Sequence, residues 1–226
     1  MALSGLKLFY LGLGGLALIG GGAIFMARGS GGARTVAPLA PGADTVSAMP
    51  AYPLGSDSAP VQVDEYADFQ CPACQRFAIL TLPDVMDRLV KTGRIRWRFY
   101  DFPLEGHRNS LPAHEAAACV GEQGKFWAMH DLLYYNQRDW EAESGRSLVR
   151  KLRGYAEKAG ADLGRYEECT QSQRYLARLK ASLRLGLNRG VNSTPTFVIG
   201  TLMIPGSLPY DSLKALIDNA SRAKKS

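Results

Sequence analysis

The sequence "DFQCPACQRF", residues 68–77, places two cysteines two residues apart, with a proline directly after the first. Such a pair is typical of a zinc site, a structural disulfide or a redox-active dithiol. The preceding "PVQVDEYADF" (60–69) alternates and predicts a strand. A helix should follow from Cys71 to about Lys91, with Pro83 bending or dividing it. The C-x-x-C pair therefore lies where a strand turns into a helix.

The two cysteines have different surroundings in this arrangement. Proline suits the first helical position, because its missing N–H would be unpaired there, and this makes Cys71 the N-cap. The helix dipole stabilises a negative sulfur at that point by up to ~2 kcal/mol, or about 1.5 pKa units. Cys74 lies one turn further on and is shielded. We therefore predict an exposed, acidic nucleophile in Cys71 and a buried resolving thiol in Cys74.

The two alternatives fit less well. A structural zinc site needs two more ligands at suitable spacing. Cys119 and Cys169 do not form a second C-x-x-C, and the three histidines form no H-x₃₋₅-H pair. A structural disulfide across so short a loop adds little stability. These observations favour redox chemistry, and we expect neither a metal nor a cofactor.

The remaining chain alternates strands with a long helical block. "RIRWRFYDF" (94–102) predicts a second strand, and apolar residues at three- and four-residue spacing predict helices between about 110 and 189. "TPTFVIGTLMIPG" (194–206) predicts two short strands, and "PYDSLKALIDNASRA" (209–223) a closing amphipathic helix. The order is β-α-β, a helical insertion at about 108–190, and β-β-α, which predicts an α/β fold with helices on the faces of the sheet.

The N-terminus has a different composition. Residues 8–27, "LFYLGLGGLALIGGGAIFMA", are uncharged and as a helix would span about 30 Å, the thickness of a hydrocarbon core. We interpret residues 1–27 as a membrane anchor, with a cleaved signal peptide as the alternative. Residues 28–57, rich in Gly, Ala, Pro and Ser, read as a linker. Residues 58–226 form the folded domain.

The charge balance excludes one class of partner. The formal net charge is +6, but no basic tract is interleaved with aromatic residues, so we expect no nucleic-acid binding. The four cysteines are an even number, which is compatible with two disulfides in an oxidising compartment or with zinc. The short N-terminal tail and the cysteines together favour a C-terminal domain outside the cytoplasm.

Two further features belong to the predicted site. Glu65 lies on the strand that we expect to be central, and it shares a face of that strand with Val63 and Ala67. On a buried strand its pKa would be raised, and it would exchange protons with Cys74; the alternative is a solvated acid on an edge strand. Thr194-Pro195 opens a strand, where a cis peptide would expose backbone for an extended substrate. A trans proline opening the strand is the alternative.

These motifs together resemble the DsbA-like thioredoxin-fold oxidoreductases of bacteria. The resemblance rests on F-x-C-P-x-C after a strand, on the helical block and on "GVNSTPTFVIG", and "AAACVGEQGKFWAMHDLL" is similar to the membrane-tethered branch. It covers roughly residues 55–222. It implies a thioredoxin fold with an all-helical insertion, preceded here by a transmembrane helix, and disulfide chemistry on exported proteins.

The resemblance also implies roles for single residues. Cys71 is the nucleophile, Cys74 the resolving cysteine, Pro195 a cis-proline after Thr194, and Glu65 the buried acid. Cys119 and Cys169 occupy the places where several relatives form a disulfide within the insertion. Closing a loop of about 50 residues would stabilise the fold by ~4 kcal/mol on the chain-entropy model, and two buried free thiols are the alternative.

The dipeptide between the cysteines departs from the strongest oxidants of this family. It is Pro72-Ala73 rather than Pro-His, and the alanine side chain offers the thiolate no charge or hydrogen bond. We therefore expect a less acidic Cys71 and a less oxidising pair than in those members.

Three functions remain open at this point. The first is an oxidase that donates disulfides to exported, cysteine-containing proteins and is re-oxidised by a membrane quinone-linked partner. The second is an extracytoplasmic reductase or isomerase, for example in cytochrome or copper-site assembly. The third is a tethered, non-enzymatic metal-binding module. An isomerase usually calls for a dimer, and residues 28–57 hold no dimerisation domain, which makes that option weaker. We expect a monomer at the periplasmic face of a bacterial inner membrane.

Overall fold

From residue 60 onward, the strands and helices follow the predicted order. The structure is a computed structural model and describes residues 37–38 and 51–223. The strands are β1 (Ala37–Pro38), β2 (Tyr52–Leu54), β3 (Val61–Ala67), β4 (Ile95–Asp101), β5 (Thr196–Ile199) and β6 (Leu202–Pro205). The helices are α1 (Pro72–Leu80), α2 (Leu82–Val85), α3 (Ser110–Gly121), α4 (Phe126–Tyr135), α5 (Gln137–Trp140), α6 (Gly145–Lys158), α7 (Leu163–Gln171), α8 (Leu176–Asn188) and α9 (Tyr210–Ala223). A π-helical segment, Met86–Val90, directly follows α2.

The six strands form one mixed sheet in the order β1-β6-β5-β3-β4-β2. Strand β3 is central, parallel to β4 and antiparallel to β5. Helices α1, α2 and α9 cover the face that carries Val63 and Phe197, and α8 packs near Tyr66 on the opposite face. Because both faces are covered, six of the seven residues of β3 are buried. The predicted α/β fold with a thioredoxin-like sheet and a helical insertion is confirmed.

The insertion consists of α3 to α8 and lies between β4 and β5 in the sequence. Its apolar residues share a buried cluster with the residues around the cysteine pair. Outside the insertion, that cluster contains Phe69, Cys74 and Phe99. From the insertion it contains Cys119 and Trp140. The insertion therefore encloses the site from one side.

The helix after Cys71 is divided, although not at the proline. Helix α1 ends at Leu80 and α2 begins at Leu82, so Pro83 falls in the first turn of α2. Proline is tolerated there because the first-turn N–H groups have no partner within a helix. The hydroxyl of Thr81, between the two helices, donates a hydrogen bond of 3.0 Å to the backbone oxygen of Leu208.

The segment interpreted as a linker contributes to the sheet. Tyr52–Leu54 pairs antiparallel with β4, and Ala37–Pro38 pairs with β6. Strands of two and three residues are too short to show an alternating pattern, which explains why the composition alone suggested a linker throughout residues 28–57.

The predicted anchor, residues 1–27, lies outside the described residues. Among residues 37–38 and 51–223, the helices are all too short or too polar to cross a bilayer.

Candidate active site

Cys71 caps helix α1 as predicted. Its backbone is extended (φ −76°, ψ 122°), Pro72 follows in the first turn, and its carbonyl accepts the N–H of Gln75 at 3.0 Å. The thiol donates a hydrogen bond of 3.3 Å to the backbone oxygen of Thr194. The expectation of an exposed sulfur was wrong: Cys71 is only 6% exposed, with Thr194 against its sulfur and the buried cluster of the insertion around it.

The two thiols have opposite pKa shifts. The hydrogen bond from the Cys74 side chain lowers the pKa of Cys71 from 9.0 to about 6, helped by the Thr194 side chain and by the backbone N–H groups of Cys74 and Ala73, and opposed by burial. Burial raises the pKa of Cys74 well above its ordinary value, and its contact with Cys71 adds to the shift. The site therefore pairs an acidic sulfur with a thiol that keeps its proton.

The Thr194–Pro195 peptide bond is cis. Thr194 is 9% exposed, and its Oγ1 atom is buried without a hydrogen-bond partner in the described structure while its carbonyl accepts from Cys71. An unpaired buried hydroxyl is unfavourable. The Thr194 side chain is also one of the groups that lower the pKa of Cys71.

Glu65 lies on the central strand and is 1% exposed, which rules out a solvated acid on an edge strand. Burial raises the pKa of its carboxyl to about 8, and a hydrogen bond from Trp97 partly opposes this shift. The charged carboxylate in turn raises the pKa of Cys74. A carboxyl group that is protonated at neutral pH therefore lies close to the resolving thiol.

A polar network that the motif did not indicate fixes the start of helix α1. The buried carboxylate of Asp68 accepts hydrogen bonds from four groups: the backbone N–H groups of Gln70 and Leu104 (2.8 and 2.9 Å), His107 Nδ1 (2.7 Å) and the Ser110 hydroxyl (2.7 Å). The amide of Gln137 donates to the carbonyl oxygens of Phe69 and Cys71, at 2.7 and 3.1 Å. These contacts connect the cysteine-bearing turn to the insertion. In the sequence, the only sign of this polar network was the position of Asp68 at the end of the strand, before the C-x-x-C pair.

Cys119 and Cys169 are joined in a disulfide between α3 and α7, with an S–S distance of 2.06 Å and a Cα–Cα distance of 5.8 Å. The Glu115 carboxylate lies 4.0 Å from Cys119 Sγ. These three side chains are close enough together to hold a metal ion, but the two sulfurs are bonded to each other. The structure thus pairs the two cysteines of the insertion and leaves Cys71 and Cys74 as free thiols.

The family model for thioredoxin matches residues 48–219, about three quarters of the chain. The chain belongs to the thioredoxin family. Within that family it resembles the DsbA-like oxidoreductases, as the sequence predicted. The crystal structure of oxidised BdbD from Bacillus subtilis superposes with a TM-score of 0.68 at 21% identity, covering 84% of this chain and 98% of that one.

Two curated relatives extend the comparison of this thioredoxin-family protein. A probable disulfide bond formation protein D of Bacillus anthracis is 28% identical over 171 residues, covering 73% of this chain and 76% of the relative. The Na(+)/H(+) antiporter NhaA 1 of Salinispora arenicola is 34% identical over 167 residues, which are 74% of this chain. The match covers only 24% of that antiporter's length.

Proposed function

We propose that this protein is a thiol–disulfide oxidoreductase that donates disulfides to exported proteins through Cys71 and Cys74. The observation that carries the proposal is the asymmetry of the pair, in which the pKa of Cys71 is lowered to about 6 and that of buried Cys74 is raised. A disulfide donor needs one sulfur that leaves readily as a thiolate and one that is released as a thiol. The names of the relatives as disulfide bond formation proteins support the same direction.

The proposed reaction transfers two electrons from the substrate to the pair. A substrate thiolate attacks Cys71 of the Cys71–Cys74 disulfide, a mixed disulfide forms, and Cys74 leaves and takes a proton from Glu65. A second substrate thiolate then attacks the substrate sulfur of the mixed disulfide. Its disulfide forms, and Cys71 leaves as a thiolate stabilised by the α1 N-terminus and Thr194. The segment around Thr194 and Pro195 receives the substrate backbone in this scheme, because the Thr194 carbonyl lies 3.3 Å from the Cys71 sulfur.

The location and partners form part of the same proposal. Residues 1–27 tether the domain to a bacterial inner membrane, with the catalytic domain on the periplasmic side. The protein is a monomer there, and a quinone-linked membrane protein re-oxidises the pair. The hydrophobic run at residues 8–27 supports the tether.

The direction of transfer is tested by the redox equilibrium of the full chain with glutathione. The fraction of reduced Cys71–Cys74 is measured after alkylation and mass spectrometry, with Cys74→Ser as the control that cannot form the pair. We expect a potential well above the roughly −270 mV of thioredoxin. A value near thioredoxin's would favour a reductase instead.

The non-enzymatic alternative is tested on the same preparation. Metal content and the number of reactive thiols are measured before and after reductant. One bound metal per chain, with both thiols of the pair blocked, would exclude the redox function. A metal-free protein whose two thiols appear only after reduction is the expected result.

A further inference from the structure

The Glu65 carboxyl has a specific hydrogen-bond donor in the core. The indole Nε1–H of Trp97 donates to Glu65 Oε2 at 3.2 Å, and both residues are buried. In the parallel β3–β4 register, Trp97 lies opposite Val63 and Phe99 lies opposite Glu65. Trp97 and Glu65 are thus diagonal neighbours on one face of the sheet.

The indole is held in place by aromatic contacts. The Phe77 ring stacks on it, with centroids 5.8 Å apart and planes 10° from parallel, and the Phe197 ring lies 5.9 Å away. Phe77 belongs to helix α1, three residues after Cys74. The helix that carries the cysteines therefore also fixes the donor that faces the acid.

Few other polar groups reach this carboxyl. Within residues 51–223, Trp97 supplies the only side-chain hydrogen bond to Glu65. The ionisable groups whose pKa responds to the charge on Glu65 include Cys74 on α1 and Tyr134 on α4. Tyr134 donates its hydroxyl to the backbone oxygen of Asp68. The neighbouring Asp64 pairs with Arg98 instead, at 2.7 Å.

We propose that Trp97 is a positioning residue that orients the Glu65 carboxyl and stabilises its ionised form during proton exchange with Cys74. The proposal rests on the proposed function. When the Cys71–Cys74 bond breaks, Cys74 gains a proton from Glu65 and leaves a carboxylate that accepts the indole N–H. When the bond re-forms, the carboxylate takes the proton back from Cys74. The indole keeps its own proton throughout.

The test compares Trp97→Phe with Trp140→Phe in the reduced full chain. Trp140 is equally buried and also donates its indole N–H, but to the backbone oxygen of Leu133 at 2.9 Å. The pKa of Glu65 is read by NMR titration of ¹³C-carboxyl-labelled glutamate, with the signal assigned by Glu65→Gln. Because a donor to the charged form is lost, we expect Trp97→Phe to raise this pKa from about 8 by roughly one unit. Trp140→Phe should leave it unchanged.

A kinetic measurement separates positioning from packing. Glutathione is attached to Cys71, and the rate at which Cys74 displaces it is measured against pH. At pH 7 the ionised fraction of Glu65 falls about tenfold for one pKa unit, so Trp97→Phe should slow displacement about tenfold. The variant should have no further effect in a Glu65→Gln background. An equal slowing in both backgrounds, or an unshifted Glu65 pKa, would overturn the proposal.

A second substitution covers the case in which Trp97→Phe does not fold. β-(3-Benzothienyl)alanine at position 97 keeps the shape of the ring and replaces the N–H by sulfur. It should produce the same pKa shift, and no shift would refute the role of the N–H. The NMR titration contains no substrate. If the pKa of Glu65 shifts as expected but the protein cannot oxidise substrates, the role of Trp97 toward Glu65 is supported and only the proposed function is refuted.

Discussion

The low pKa of Cys71 depends first on the side chain of Cys74, and this dependence can be tested by changing Cys74. With a pKa of about 6, Cys71 is about 90% thiolate at pH 7, whereas at its ordinary value of 9.0 it would be about 1%. Cys74→Ala removes the donor with the largest effect, and Cys74→Ser keeps a hydroxyl in its place. We expect the pKa of Cys71 to rise by about one unit or more in Cys74→Ala and to stay near 6 in Cys74→Ser.

The assay is the rate of iodoacetamide alkylation against pH, with the modified site confirmed by mass spectrometry. In the reduced wild-type protein only Cys71 should react below pH 9, because burial raises the pKa of Cys74. Equal Cys71 pKa values in wild type and Cys74→Ala would show that the Thr194 side chain and the backbone N–H groups, rather than the Cys74 side chain, set the acidity. A wild-type pKa near 9 would refute the whole assignment.

The same shift makes the redox equilibrium depend on pH. Because the pKa of Cys71 in the folded protein lies below its ordinary value, ionisation of Cys71 stabilises the reduced form above pH 6. This stabilisation disappears as the pH falls through 6. At pH 7 the thiolate of Cys71 contributes about 1.4 kcal/mol, or roughly 30 mV, toward a more oxidising pair. A glutathione equilibrium whose pH dependence shows no change of slope near 6 would contradict this reasoning.

Three further predictions concern stability. The double variant Cys119→Ala/Cys169→Ala should lose about 4 kcal/mol of unfolding free energy, because the disulfide closes a loop of 50 residues. Equal urea midpoints for the variant and the wild type would contradict this. Gly186→Ala should lower the melting temperature, since a Cβ there would lie 2.5 Å from the Phe102 ring, whereas Gly154→Ala, where a Cβ meets nothing within 4 Å, is the matched control. Burial raises the folded-state pKa of Glu65 from 4.5 to about 8, so its contribution to stability is complete below pH 4.5 and is lost as pH rises through 8. Glu65→Gln should therefore flatten the decline in stability over that range, and an unchanged pH profile in urea unfolding would show that Glu65 does not titrate there.

The local arrangement around the cysteine pair was predictable because it depends on neighbours in sequence. A strand that ends at Ala67, a proline after Cys71 and a second cysteine one turn later are enough to define an N-cap and a shielded thiol. The order of elements followed from periodicity for the same reason. The pairing of Cys119 with Cys169 came from resemblance to relatives, since spacing alone does not determine which cysteines join.

The covering of Cys71 and the burial of Glu65 were decided by tertiary structure. Thr194 contacts Cys71 across 123 residues of sequence, and Trp97 reaches Glu65 from a strand 32 residues away. Alternation assigned Glu65 to a face of a strand expected to be central, and the sheet order confirms that position. Only the helices packed on both sides show that both faces of the strand are buried. Sequence thus determined which sulfur caps the helix. The packing of distant segments determined how far Cys71 is exposed, and it placed Glu65 and Trp97 near Cys74. Desolvation and hydrogen bonding depend on neighbours in space, which the order of residues does not give.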